Sequence, residues 1–220
     1  MNTNLTEIAY VLDRSGSMNH MTEAAIAGFN EFLQEQLDAP GDANLSLLLF
    51  DDGFQNPHSR TRLEDVRPLN TETYFTGGST ALLDAIGMTI EKLGEQLAAL
   101  PEEERPGKVI VAIFTDGYEN ASTRFTFDKI QEMITHQRTN YQWEFLFLAA
   151  NADAIATASR MGIDRSMSSQ VECCKVGIFS SSKSISRKVR AMREQGMDLQ
   201  ENPDLYKPMD EIVAEEQAKN

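Results

Sequence analysis

The chain has 220 residues, 41% hydrophobic and 25% charged, an ordinary globular composition with enough length to bury a sizeable core. Its net charge of −14 argues against nucleic acid, whose binders carry a basic footprint. No apolar stretch approaches the ~20 residues of a membrane helix, and the opening MNTNLTEIAYVLDRSG lacks the basic-then-apolar pattern of an export signal, so a cytoplasmic location is expected.

Short apolar runs alternate with longer amphipathic ones. Residues 8–12 (IAYVL) read as a strand buried on both faces, ending at Asp13. Residues 21–37 read as a helix with Met21, Ala25, Phe29, Phe32, Leu33 and Leu37 near one face, stopped by Pro40-Gly41. Residues 45–50 (LSLLLF) give a second strand, and Asp51-Asp52-Gly53 turns it into a weaker extended stretch over 54–63. The apolar stripe Leu82, Leu83, Ile86, Ile90, Leu93, Leu97 and Leu100 marks a long helix. Residues 109–114 (VIVAIF) are the strongest strand signal and end at Thr115-Asp116-Gly117. A helix over 127–137, a buried strand over 143–148 and a short helix over 152–161 closed by Gly162 follow.

This alternation predicts a doubly wound α/β domain, with a mostly parallel central sheet flanked by helices. Beyond Gly162 the signal weakens. Residues 171–179 are read as an edge strand, 182–195 as a helix, and the acidic stretch from Asp198, with Pro203 and Pro208, as a polar tail. The expected division is a metal-binding domain over 1–180 and a basic helix with an acidic tail over 181–220.

Ligands of open α/β sheets bind beyond the carboxyl ends of the strands. There the chain places Asp13, Ser15 and Ser17 in the loop DRSGS, where alternate residues project to one side and Gly16 permits a sharp bend. A second acid, Asp116, follows the strand over 109–114, and Thr76-Gly77-Gly78-Ser79-Thr80 precedes the long helix. Acids and hydroxyls of this kind are hard ligands suited to Mg²⁺, with Mn²⁺ or Ca²⁺ as alternatives. DxSxS alone is also an ordinary turn sequence. Ser79 is a candidate helix cap, and no GxxxxGK[ST] or GxGxxG follows a strand, so Gly77-Gly78 is a poor phosphate cradle.

The set Asp13, Ser15, Ser17, Thr80 and Asp116 resembles the metal-ion-dependent adhesion site (MIDAS) of the von Willebrand factor type A (vWA) family, matching it in order over about residues 5–165. The compact stand-alone members of bacteria and phages are the most similar. The resemblance implies sheet order 3-2-1-4-5-6. It also implies direct metal ligation by the serines and threonine, with the aspartates acting directly or through water. A partner's acidic residue would complete the shell. The function expected on this basis is a metal-dependent protein–protein interaction module, not an enzyme. Its partner would be a protein, such as an AAA+ ATPase or an assembly component.

Two other functions compete. A Mg²⁺-dependent hydrolase or phosphotransferase would need a nucleophile–base pair, but Asp13 lacks an acid two residues on, and the serines have no assigned histidine. A structural subunit would use the metal only to stiffen loops. His20, His58 and His136 are scattered. The adjacent Cys173 and Cys174 suit neither an unstrained disulfide nor a zinc site. Glu119 and Asn120 read as loop residues beside the site. Lys183, Arg187, Lys188, Arg190 and Arg193 form a basic run, either solvated, docking an acidic partner, or paired with the protein's own carboxylates.

Overall fold

The computed structural model describes residues 1–172, 174–197 and 200–219. Six strands and six α-helices follow one another as β1 (Asn2–Asp13), α1 (Thr22–Leu37), β2 (Asp42–Phe50), β3 (Phe54–Arg62), α2 (Leu82–Ala98), β4 (Pro106–Thr115), α3 (Phe127–Tyr141), β5 (Glu144–Ala149), α4 (Ala154–Arg160), β6 (Ser168–Gln170), α5 (Lys175–Glu194) and α6 (Met209–Gln217). They build one sheet of order β3-β2-β1-β4-β5-β6, parallel except for the β2–β3 hairpin. The order is the one the sequence resemblance implies.

Alternation along the central strands divides the core into two layers. Ile8, Tyr10 and Leu12 of β1, with Leu45, Leu47 and Leu49 of β2, face α1, α5 and α6. Ala9 and Val11, with Val111 and Ile113 of β4, face α2, α3 and α4. Both faces of the central strands are therefore covered, which is why these segments read as unbroken apolar runs. Tyr10 meets Phe29 and Phe32 of α1 edge-on, at centroid distances of 5.5 and 4.8 Å.

The chain crosses from β1 to β2 on one side and enters β4 on the other, so β1 and β4 flank the point where strand order reverses. Their register pairs Leu12 with Phe114, so Asp13 and Thr115 end the two strands side by side.

The C-terminal third departs from the sequence reading. The edge strand expected over 171–179 is instead the three-residue β6, and α5 already begins at Lys175. Ile178, Ile185, Val189 and Met192 recur at helical spacing and are buried, and the Cys174 thiol accepts from the Gly177 amide to cap the helix. The strand falls on Ser168 and Ser169, small polar residues that the sheet buries without an apolar signal. The division expected between 180 and 181 lies inside α5. Cys173 lies outside the described residues, and Cys174 is exposed.

The stretch read as a polar tail is folded. Met209, Ile212 and Val213 of α6 are buried in the layer that contains α5. Arg187 holds this segment, donating to Asp204 at 2.9 and 2.8 Å and to Glu215 and Glu216 at 2.7 Å each. The rest of the basic run also turns inward. Lys188 donates to the carbonyls of Asp204, Leu205 and Lys207, and Arg193 to those of Gln36, Pro40 and Gly41. Lys183 pairs with Glu31 and Arg190 with Glu194. Pairing with the protein's own carboxylates, one of the three sequence readings, is thus observed for Lys183, Arg187 and Arg190, while Lys188 and Arg193 bond backbone carbonyls.

Candidate metal centre

The five residues singled out in the sequence converge at the β1–β4 crevice. Asp13 is fully buried at the end of β1. Its Oδ1 accepts from the Ser15 amide at 2.7 Å, and its Oδ2 accepts from the Thr115 hydroxyl. The Ser15 and Ser17 hydroxyls lie 3.1 Å apart, and Ser17 Oγ donates to Asp116 Oδ1 at 2.7 Å. Ser15 is buried and Ser17 exposed, so the cluster has a solvent-facing mouth.

Thr80 joins from the loop before α2 and lies against Gly117. A Cβ built on Gly117 would come 2.8 Å from Thr80 Oγ1 and 3.6 Å from Ser17 Oγ, so only glycine lets the three loops close this tightly. Gly78 is held at φ +66° against Asp51 and Asp52, a left-handed conformation that favours glycine.

Several positioning residues were not recognised in the sequence. Tyr74 is buried, and its hydroxyl donates to the Asp13 carbonyl at 2.7 Å. Asn120 clasps Thr80 from both ends. Its Oδ1 accepts from the Thr80 amide at 2.9 Å, and its own amide donates to the Thr80 carbonyl at 3.1 Å. Glu119 accepts from the amides of Leu83, Ala121 and Ser122 and from the Ser122 hydroxyl. Asp84 returns the clamp by accepting from the amides of Thr123, Arg124 and Phe125. Glu119 and Asn120 thus weld the Asp116 loop to the start of α2. A Thr at the end of the strand beside Asp13 was a usable signal for Thr115; Tyr74, in the polar TETYFTGG loop, offered none.

Two secondary readings change. The cap of α2 is Ala81, with no side-chain cap bond, and Ser79 is exposed. The Leu83 and Asp84 amides at the start of α2 are taken by Glu119 and Ser122, which removes them from any phosphate cradle at Gly77-Gly78.

The cluster confines two acids whose hydrogen bonds come from hydroxyls and a backbone amide, not from a basic side chain. Burial is the main cause pushing the Asp13 carboxyl up to about 6; hydrogen bonds from Thr115 and Ser15 oppose the shift, and the Asp116 charge adds to it. Burial raises Asp116 as well, against the Ser17 hydrogen bond and the charge of His20. Tyr74 is raised by burial first and then by the charges of Asp13 and Asp116. Arg14, between Asp13 and Ser15 in sequence, is turned away: its Nη2 pairs with Asp51 at 3.1 Å, and its guanidinium lies 5.0 Å from the Phe75 ring centre.

Two buried carboxylates and three hydroxyls, open to solvent on one side, fit a hard divalent ion that keeps some water. Among the described residues no group of three or more His, Cys, Asp and Glu side chains is arranged to hold a metal. This cluster differs in kind, because hydroxyls make up most of its donors. Also among the described residues, no helix is long and apolar enough to cross a membrane.

No family model matches the sequence, and no curated protein does. Solved structures do share the fold. Two crystal structures of proximal thread matrix protein 1 from the mussel byssus, one with a zinc-occupied MIDAS motif, align with TM-scores of 0.61 and 0.60 at 12% and 13% identity. Each alignment covers 86% of this chain and 49% of the mussel protein, so the chain spans about half the length of that protein. A von Willebrand factor type A structure from Catenulispora acidiphila aligns at TM-score 0.55 and 12% identity, covering 86% of this chain and 43% of the other. Manganese-loaded TRAP protein from Plasmodium vivax aligns at 0.50 and 13%, covering 79% and 70%. The architecture is that of a vWA domain.

Proposed function

We propose that this protein is an interaction module, not an enzyme, and that it binds a partner protein through a divalent ion. Asp13, Ser15, Ser17, Thr80 and Asp116 would hold the ion, Mg²⁺ with Mn²⁺ or Ca²⁺ as alternatives. Once bound, the ion supplies a Lewis-acidic position for a carboxylate of the partner. The observation that carries this reading is the mutual bonding of Asp13, Ser15, Ser17 and Asp116 in a solvent-open cluster at the β1–β4 crevice.

The chain's own residues divide the work. Asp13 and Asp116 supply the negative charge, which burial makes hard to keep without a cation. Ser15, Ser17 and Thr80 supply neutral oxygens, so the protein's own ligands no more than balance the ion's charge, and an anionic group could still take its open coordination position. Tyr74, Thr115, Glu119 and Asn120 hold these donors in place. The zinc and manganese named in the mussel and Plasmodium structures support a divalent ion in this fold.

An interaction role is favoured over hydrolysis because no histidine hydrogen-bonds to Ser15 or Ser17 among the described residues. The protein's charge of −14 opposes acidic partners only at long range, since salt screens beyond roughly 8 Å at physiological strength. The partner surface would therefore present a local acid on an otherwise neutral or basic face, as an AAA+ ATPase or an assembly component could.

The test is affinity capture from cell extract with wild type and Thr80→Ala side by side, each in Mg²⁺ and in EDTA. A protein retained by wild type only with Mg²⁺, and lost with Thr80→Ala, supports ion-bridged binding. Identical recoveries in all four arms would refute it.

A further inference from the structure

At the amino end of the sheet, away from the metal centre, a cavity of about 250 Å³ opens between α2, α3 and the start of β4. Its cause lies in the sequence of α2. Gly94 and Ala98, one turn apart, line it, whereas Ile90, Leu93 and Leu97 fill the core layer under the same helix. A Cβ built on Gly94 would meet only Gln137 Nε2 of α3, at 3.9 Å, so the two helices stand apart there. The volume is close to the ~300 Å³ at which small-molecule pockets begin.

Apolar walls carry a few fixed donors. Leu97, Val109 and Trp143 are buried members of the core that line the cavity. Trp143 is 4% exposed and stacks on Phe145 at 6.3 Å, yet its indole N–H has no hydrogen-bond partner among the described residues, which is uncommon for a buried tryptophan. Arg105 is held at the wall by two carbonyls, Nε donating to Leu100 and Nη2 to Ala98, each at 3.0 Å. Among the described residues no carboxylate pairs with it. His136 lies edge-on to Tyr141 at 5.7 Å, and its Nδ1 accepts from Asn140 Nδ2 at 2.9 Å, which leaves the ring proton on Nε2.

Among the described residues no Asp or Glu lines the cavity, although the chain has a net charge of −14. Glu102, Glu103 and Glu104, next to Arg105 in sequence, are exposed and are not part of its wall. We propose that this cavity binds a small aromatic carboxylic acid, its ring against Leu97, Val109 and Trp143 and its carboxylate on the Arg105 guanidinium. The apolar walls favour a ring, which leaves water there without losing hydrogen bonds. A guanidinium with no acid of its own favours an anion over a cation or a neutral molecule. None of the metal-centre residues takes part, so this site and the ion-bridged reading stand or fall separately.

The chain has one tryptophan, so the indole N–H signal in a proton–nitrogen NMR spectrum of the full chain reports directly on this wall. Benzoate, benzamide and acetate are titrated into wild type, Arg105→Met and Gly94→Leu, all in EDTA so that no metal-bound carboxylate contributes. Benzoate is expected to shift the wild-type signal saturably, with an affinity at least about tenfold tighter than benzamide or acetate. Arg105→Met should remove most of the advantage over benzamide. Gly94→Leu fills the cavity at a helical position that favours leucine over glycine, and should abolish binding while the protein stays folded. No saturable shift with benzoate up to about 10 mM would overturn the proposal. Equal affinity for benzoate and benzamide, or benzoate binding unchanged by Gly94→Leu, would overturn it as well.

Discussion

Replacing Asp13 by Asn should make the metal-free protein more stable while abolishing its response to Mg²⁺. Burial holds the Asp13 carboxyl near 6 in the folded chain, against 3.8 when unperturbed. Its folded value lies above its unfolded one, so ionisation opposes folding. The cost is absent below about pH 4, grows between the two values, and is complete above the folded one. Roughly two pH units at ~1.36 kcal/mol each set this cost at about 3 kcal/mol at neutral pH, of which about 1.3 kcal/mol is relieved between pH 7 and pH 5.

Asparagine keeps the shape and the acceptor for the Ser15 amide. It loses the acceptor at Oδ2 for the Thr115 hydroxyl, at a cost of about 1 kcal/mol. In EDTA at pH 7 the variant should therefore be about 2 kcal/mol more stable than wild type, and its stability should depend less on pH between 5 and 7. Mg²⁺ at a hundred times its dissociation constant should then add about 2.7 kcal/mol to wild type and nothing to the variant. The assay is urea unfolding followed by circular dichroism, at pH 5, 6 and 7, with EDTA or Mg²⁺. An Asp13→Asn protein less stable than wild type in EDTA at every pH, with an unchanged pH slope, would refute the reasoning.

Other outcomes follow from the same geometry. Gly117→Ala places a methyl 2.8 Å from Thr80 Oγ1 and should weaken Mg²⁺ binding by about tenfold or more, read by isothermal titration calorimetry. Glu119→Ala removes the acceptor shared by the Leu83, Ala121 and Ser122 amides, and should cost about 2 kcal/mol in urea unfolding as well as lower Mg²⁺ affinity. Arg187→Met breaks the anchor to Asp204, Glu215 and Glu216. It should cost about 1–3 kcal/mol without changing Mg²⁺ affinity, which separates the stability of the C-terminal segment from the metal centre.

The strands that carry the site were legible because they are buried on both faces, which leaves unbroken runs such as VIVAIF between clear breakers. That Asp13, Ser15, Ser17, Thr80 and Asp116 lie together was legible because the DRSGS, GST and TDG segments match in order the pattern of the family the sequence resembles, at loops expected along one edge of the sheet. What the sequence hid were the contacts that hold these residues. Asn120 acts on Thr80 across 40 positions and Tyr74 on Asp13 across 61, and no local pattern encodes such pairings. The edge strand was misplaced because β6 is the polar run Ser168-Ser169-Gln170 that pairs with β5, while Ile178 and Phe179 belong to a helix. The C-terminal stretch looked like a tail because the apolar residues it packs on the core, Met209, Ile212 and Val213 with Leu205, are few and set among acids and prolines. Its remaining hold is the ion cluster around Arg187.

The most direct test of the central claim is to crystallise the protein with Mn²⁺ and record anomalous scattering at a wavelength where manganese dominates. The expected result is one strong peak among Asp13, Ser15, Ser17, Thr80 and Asp116, with hydroxyl oxygens at about 2.1–2.3 Å and solvent or a carboxylate on the open side. A crystal at millimolar Mn²⁺ with no peak there, or with its only peak elsewhere on the surface, would contradict the assignment.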